Sequence, residues 1–297
     1  MTRRPGWVDD SLFPFESRFA GIDGCTVHYV DEGQGPAILF LHGNPTWSFL
    51  YRDVIDLLRH RFRCIALDYP GFGLSSAPRR YGFTPAEHAH IVERFILDLE
   101  LDQLTVMGHD WGGPIGLGAA SRQAGRIAAL VVANTWAWPV NSSPFLQGFS
   151  RLAGGPLGKV LIERYNSFVE LSMPLGTART RVAPEVVEHY RRPFADPASR
   201  WPTWVFPRAI LKSRDYLIEV ERGLTGLADR PALILWGTRD MAFGRSARRR
   251  LERAFPDHRT ILLRGAGHYI QEDASAEVAD AISIWHPLAP KRNRAVA

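Results

Sequence analysis

Short apolar runs recur along the 297-residue chain, separated by stretches rich in glycine, proline and asparagine. Ala37–Leu41, Arg63–Leu67, Leu104–Met107, Ala128–Ala133, Ala232–Trp236 and Thr260–Leu263 are mostly continuous rather than alternating. Strands buried on both faces read this way, because neither face meets water. Phe15–Phe19 and Thr26–Val30 instead alternate apolar and polar positions around Asp23-Gly24, which predicts an antiparallel hairpin that opens the sheet. Helical patterns lie between the runs: Ser48–His60, a segment starting at Thr84 and ending about Leu99, Ser246–Ala254, and a last one from about Ser275. Thr84-Pro85-Ala86-Glu87 is a strong helix start, with a capping threonine, proline in the first turn and glutamate at the third position. Strand and helix in alternation predict an α/β fold, a mostly parallel sheet flanked by helices on both faces.

The alternation stops at Ala137 and resumes only after Lys212. Between them stand Pro, Trp, Phe and Arg with helical patches at Leu157–Val169 and Pro184–Arg192. We read residues 1–136 and 213–297 as one core domain and 137–212 as an inserted helical cap. The cap carries Trp138, Phe145, Phe149, Phe168, Trp201, Trp204 and Phe206. Together with Trp136 and Leu175 these are candidates for an apolar pocket, although each taken singly is better explained by core packing.

Composition narrows the class. Hydrophobic residues at 45% and charged residues at 23% suit a soluble globular chain. The net charge of +5 sits in arginine clusters at Arg79-Arg80, Arg191-Arg192 and Arg248–Arg250 and in a tail, Lys291-Arg292-Asn293-Arg294. No cluster is interleaved with aromatics, so no nucleic-acid partner is expected. Two cysteines, Cys25 and Cys64, in apolar surroundings fit buried thiols in a reducing compartment. Met1–Asp10 has no apolar core of a signal peptide, and no run reaches the ~18 apolar residues of a membrane span. The expectation is a cytoplasmic protein with no membrane partner. Oligomeric state is not legible.

One stretch carries chemistry. Val106-Met107-Gly108-His109-Asp110-Trp111-Gly112-Gly113 ends an apolar run at a glycine, places Asp110 between small residues, and leads into the helix-compatible Pro114–Ala120. That is the pattern of a strand-to-helix elbow, in which the central side chain is held up on a strained turn. The alternative is a glycine-rich turn whose aspartate caps a helix. The usual central residue is serine. A serine that displaced a leaving group from saturated carbon would form an ether, which activated water cannot cleave; a carboxylate forms an ester, which it can. Asp110 therefore points to substitution at saturated carbon, at a carbon–halogen bond or an epoxide. Gly71-x-Gly73 is no dinucleotide fingerprint, since Ser76 takes the place of the third glycine.

Active residues of such sheets collect beyond the C-terminal ends of strands. Asn44, Asp110, Asp240 and His268 all have that placement, and the order nucleophile, acid, histidine is that of the α/β-hydrolase triad. Here the chain resembles a haloalkane dehalogenase of the α/β-hydrolase superfamily. The resemblance runs from the first hairpin to the last helix, and its specific marks are His42-Gly43-Asn44-Pro45-Thr46, Asp68-Tyr69-Pro70-Gly71-Phe72-Gly73, Gly108–Gly113 and Gly267-His268. It implies the α/β-hydrolase fold with an inserted helical cap. Members differ in where the triad acid sits; the alternative position, after the sixth strand, is Asn134 here, which leaves Asp240. The branch so defined has an Asp110–His268–Asp240 triad and a halide pair formed by Asn44 and Trp111. Backbone N–H groups of that pair would then form the oxyanion hole. An indole N–H and an amide NH₂ are apt for a departing halide, being donors that bring no charge of their own. The implied partners are a small halogenated aliphatic substrate, water and halide ion. No metal and no organic cofactor is implied, and His42 and His109 have no metal-ligand spacing.

Three rivals stay open. An epoxide hydrolase would use the same aspartate with acidic cap donors, and Tyr165 and Tyr190 lie in the cap region. A monooxygenase-like relative binding a large heterocycle shares parts of the scaffold. A non-catalytic ligand receptor would have no use for the complete triad.

Overall fold

The computed structural model describes residues 3–140 and 143–286; the basic tail at 291–294 lies outside them. The first strands, β1 (Arg18–Ile22) and β2 (Cys25–Glu32), form the hairpin expected at Asp23-Gly24, with Ile22 opposite Cys25. Both turn residues have positive φ, 48° and 79°. That is the turn whose twist matches paired strands, and Asp-Gly adopts it cheaply. Phe15–Ser17 fall outside β1.

The strands β3 (Ala37–Leu41), β4 (Arg63–Leu67), β5 (Leu104–Asp110), β6 (Ile127–Thr135), β7 (Ala232–Gly237) and β8 (His258–Leu263) complete one eight-stranded sheet. Its order is β1-β2-β4-β3-β5-β6-β7-β8, parallel from β4 onward. The chain steps from β3 to β4 on one side, then crosses over to β5 on the other. The crevice between β3 and β5 is thus the point where the winding reverses, and ligands bind at such points.

Helices α1 (Arg52–Leu58), α2 (Pro85–Asp98) and α3 (Gly112–Arg122) follow β3, β4 and β5. α2 starts with the expected box: Thr84 accepts from the Glu87 N–H and the Glu87 carboxylate accepts from the Thr84 N–H. Ser48–Tyr51, expected to be part of the first helix, is instead a 3₁₀ turn leading into α1.

Among the described residues no strand lies between Thr135 and Ala232. This segment holds α4 (Pro144–Ala153), α5 (Pro156–Tyr165), α6 (Ser167–Gly176), α7 (Pro184–Arg191), α8 (Trp201–Lys212) and α9 (Arg214–Gly223). The single helical patch expected at Leu157–Val169 is two helices, broken at Asn166, whose φ is 52°. A non-glycine residue there ends a helix, and asparagine tolerates the conformation best. After β7 come α10 (Arg245–Ala254), α11 (Ile270–Asp273) and α12 (Ser275–Trp285). α1 packs on α12, while α3 packs between α2 and α9, giving a helical layer on each face of the sheet. Cys25 and Cys64 are free and buried. Among the described residues no helix is long and apolar enough to cross a membrane.

Candidate active site

Asp110 is the last residue of β5 and has φ 51°. The turn is tight enough that a Cβ on Gly112 would lie 2.0 Å from the Leu41 carbonyl oxygen, so only glycine fits. Thr135 braces it, its hydroxyl donating to the Asp110 carbonyl at 2.6 Å. On the carboxylate, Oδ2 accepts the Asn44 backbone N–H at 2.9 Å, and the Trp111 N–H also donates to the carboxyl group. Oδ1 lies 3.8 Å from His268 Nε2, beyond hydrogen-bond length. Burial raises the Asp110 pKa above the ordinary carboxylate value, opposed by His268 and by the two N–H groups.

His268 Nδ1 lies 3.2 Å from Asp240 Oδ2. The other Asp240 oxygen accepts from the Ala242 and Phe243 N–H groups, which fixes the carboxylate's plane. A carboxylate at Nδ1 holds the proton there and leaves Nε2 as the acceptor. Burial alone would lower the His268 pKa, but Asp240 first and Asp110 second carry it above the ordinary 6.5.

The loop that holds His268 is braced by further residues, of which Asn134 and Asp273 were not legible as struts in sequence. Asn134, excluded above as an acid, donates its Nδ2 to the carbonyls of Gly267 and His268 at 2.9 and 2.8 Å and accepts from the Gly237 N–H. It sits where an acid would, and instead joins the ends of β6 and β7 to the histidine loop. His109 Nε2 also donates to the His268 carbonyl, at 2.8 Å. Asp273 accepts from Gly267 and from Ala178, Arg179 and Thr180, fastening this loop to the chain after α6. His42 is structural: Nδ1 faces the Gly43 carbonyl, Nε2 accepts from the Tyr69 N–H, and burial lowers its pKa to about 4.

Asn44 is held from above. Its Nδ2 donates to the Thr203 carbonyl on α8 at 3.1 Å. That carbonyl is free to accept because the residue four further on is Pro207, inside the helix and without an N–H to return. One amide proton is so engaged and the other remains. Trp111 is almost fully buried beside the elbow, in edge contact with Trp136 at 4.7 Å and packed on Phe206 at 5.3 Å.

Asn44, Asp110, Trp111 and His268 meet in the wall of one cavity of about 480 Å³, and Asp240 reaches it through His268. Trp136, Leu175, Phe145, Phe149 and Phe168 also line it; Trp138, Trp201, Trp204 and Phe206 do not. Trp204 packs against Trp201, and Arg250 lies over the Trp138 ring. The Trp136 indole N–H meets no acceptor among the described residues. Trp136 therefore adds a further donor-bearing side chain to the wall, where sequence suggested apolar lining only.

The two tyrosines that kept an epoxide reading open are elsewhere. Tyr190 donates its hydroxyl to Glu272 at 2.5 Å, within a buried cluster with Arg52, and Tyr165 is exposed outside the cavity. The tyrosine in the wall is Tyr269, next to His268.

Residues 36–275 match the family described as alpha/beta hydrolase fold, and the chain belongs to it. Haloalkane dehalogenase 2 of Mycobacterium tuberculosis is 44% identical over 276 residues, 92% of this chain and 96% of its own length. With that extent of likeness, the chain is a member of the haloalkane dehalogenase family. A cis-3-alkyl-4-alkyloxetan-2-one decarboxylase of Shewanella oneidensis is 34% identical, covering 91% of this chain and 87% of its own. Among solved structures, that of an ancestral haloalkane dehalogenase superposes with a TM-score of 0.83 at 27% identity, covering 91% and 98% of the two chains.

Proposed function

We propose that the protein hydrolyses haloalkanes to an alcohol and halide through an ester on Asp110. Asp110 Oδ1, the carboxylate oxygen not held by Asn44, attacks the halogen-bearing carbon in line, and the carbon–halogen pair of electrons leaves with the halide. Asn44 Nδ2 and the Trp111 indole receive that charge at the buried end of a largely apolar cavity, where such donors act strongly. His268 Nε2 then takes a proton from water as the water attacks Asp110 Cγ. Negative charge gathers on Oδ2, already beneath the Asn44 N–H, with the Trp111 N–H also donating to the same carboxylate. The ester's acyl–oxygen bond breaks, and the alcohol departs with the proton from His268. Asp240 orients the imidazole and stabilises its cation.

One observation carries the reading: a carboxylate held at positive φ, 3.8 Å from an aspartate-paired histidine, in the wall of a largely apolar cavity. Residues 137–212 act as a cap domain over a core of 1–136 and 213–297, with α8 supplying the Thr203 carbonyl that sets the Asn44 amide. A cytoplasmic location fits the two reduced, buried thiols.

The test compares halide release from 1,2-dibromoethane with diol formation from styrene oxide. Bromide without diol is expected. Diol with no bromide would transfer the site to epoxide chemistry.

A further inference from the structure

We infer that the substrate is a long-chain alkyl electrophile, whose reacting carbon sits at Asp110 while its tail runs out along α4, α5 and α6. The inference rests on the proposed reaction for the chemistry at the reacting carbon, but the cavity argues for the tail by itself.

Six large apolar side chains that line the cavity are also strongly exposed. Phe145, Leu152, Leu157, Leu171, Leu175 and Met241 each have between 59% and 65% of their surface open to solvent. Exposed apolar residues scattered singly need no explanation, but a contiguous set marks a binding surface. α4 makes the point at the level of one helix. Its one fully buried residue is Ser150, whose hydroxyl donates to the Pro207 carbonyl at 2.7 Å, while Phe145, Phe149 and Leu152 face outward. A surface helix ordinarily buries its apolar stripe. Here the stripe is left for a ligand.

The polarity of the wall runs in one direction. Asn44, Asp110, His268 and the donor-bearing Trp111 and Trp136 gather at the elbow end, and the remainder is apolar apart from Ser167, Ser172 and the Tyr269 hydroxyl. Ser172 is already engaged, its hydroxyl donating to the Val169 carbonyl at 3.4 Å. A volume of about 480 Å³ falls within the range of roughly 300–1,000 Å³ that encloses ligands of drug size. A two- or three-carbon halide would leave most of it unfilled and the apolar rim in water. A long chain covers the rim, and each methylene withdrawn from water favours binding by about fourfold.

Two measurements test this. In the first, kcat/KM for bromide release is followed from 1-bromopropane through 1-bromohexane to 1-bromodecane. We expect it to climb by about threefold to fourfold per carbon while the tail remains inside the cavity, with KM falling more than kcat rises. A maximum at 1-bromopropane, or no dependence on length, would overturn the inference. The second measurement needs no turnover: 1-propanol and 1-decanol are titrated against the protein's intrinsic tryptophan fluorescence, to which Trp111 and Trp136 in the wall contribute. Tighter binding of 1-decanol by at least about a hundredfold is expected, and equal affinities would overturn the inference. If 1-decanol binds tightly while no bromide is released from any member, the tail stands and the dehalogenase reading fails. The double substitution Leu157→Glu, Leu171→Glu, at two exposed positions, should lower the decyl-to-propyl ratio of kcat/KM by about tenfold or more. An unchanged ratio, with a change in oligomeric state, would assign the rim to contacts between copies and refute the tail.

Discussion

Asp110 and His268 each shift the other's pKa toward its charged form, and the reaction removes one side of that coupling. In the free protein the Asp110 carboxylate helps Asp240 to raise the His268 pKa above 6.5. Once Asp110 is an ester its charge is gone, so the imidazole must lose part of the raise. The group that takes the proton from water must be neutral. Ester hydrolysis should therefore rise with pH through a pKa lower than the one His268 shows in the free protein. NMR titration of the His268 ring, set beside the pH profile of single-turnover hydrolysis, checks this. The kinetic value should lie below the NMR value; coincident values would mean that Asp110 carries no charge felt by His268. At this scale much was legible. Asp110, Asp240, His268, Asn44 and Trp111 stand at positions set by short local motifs, and the structure brings them together. Asn134 and Asp273 were not legible as struts. Asn134 meets Gly267 and His268 across more than 130 residues and Asp273 meets the chain at 178–180 across more than 90, and no local pattern encodes such meetings.

At the scale of elements, α8 joins the cap to the chemistry. An internal proline normally weakens a helix by removing a hydrogen bond and crowding the carbonyl four residues before it. In α8 that loss turns the Thr203 carbonyl toward Asn44. Pro207→Ala would restore an N–H that competes for the same carbonyl. The expected outcome is a helix at least as stable in thermal unfolding, with the alkylation rate in rapid-quench experiments lowered about threefold to tenfold, the worth of one net hydrogen bond. Asn44→Ala, which removes the donor itself, should cost roughly 10²–10³. An unchanged rate in Pro207→Ala would mean that the Thr203 contact does not orient the amide. Most strand ends were read from sequence to within a residue or two, because doubly buried strands leave continuous apolar runs; the alternating β1 was misplaced by three residues, and β5 runs three residues past the expected Met107 to Asp110. The helices from 144 to 223 were harder. Their apolar residues include the exposed ones around the cavity, so periodicity reports the ligand surface as much as the core. The break at Asn166 has no glycine or proline to announce it.

For the whole molecule, the sheet's reversal between β3 and β5 sets Asn44 and Asp110 side by side, and the later crossovers add Asp240 and His268 from β7 and β8. The α/β class followed from alternation alone. The cavity did not, because its walls come from segments as distant as Asn44, Leu171 and Met241. All of it serves one claim, that the carbon skeleton becomes covalently bound to Asp110 before water intervenes. A single turnover on 1-bromohexane in ¹⁸O-enriched water, with protein in excess, tests that claim most directly. The expected result is ¹⁸O in the Asp110 carboxylate and ordinary oxygen in the first equivalent of 1-hexanol; ¹⁸O in the alcohol and none in Asp110 would show that water displaces the halide directly and would contradict the account.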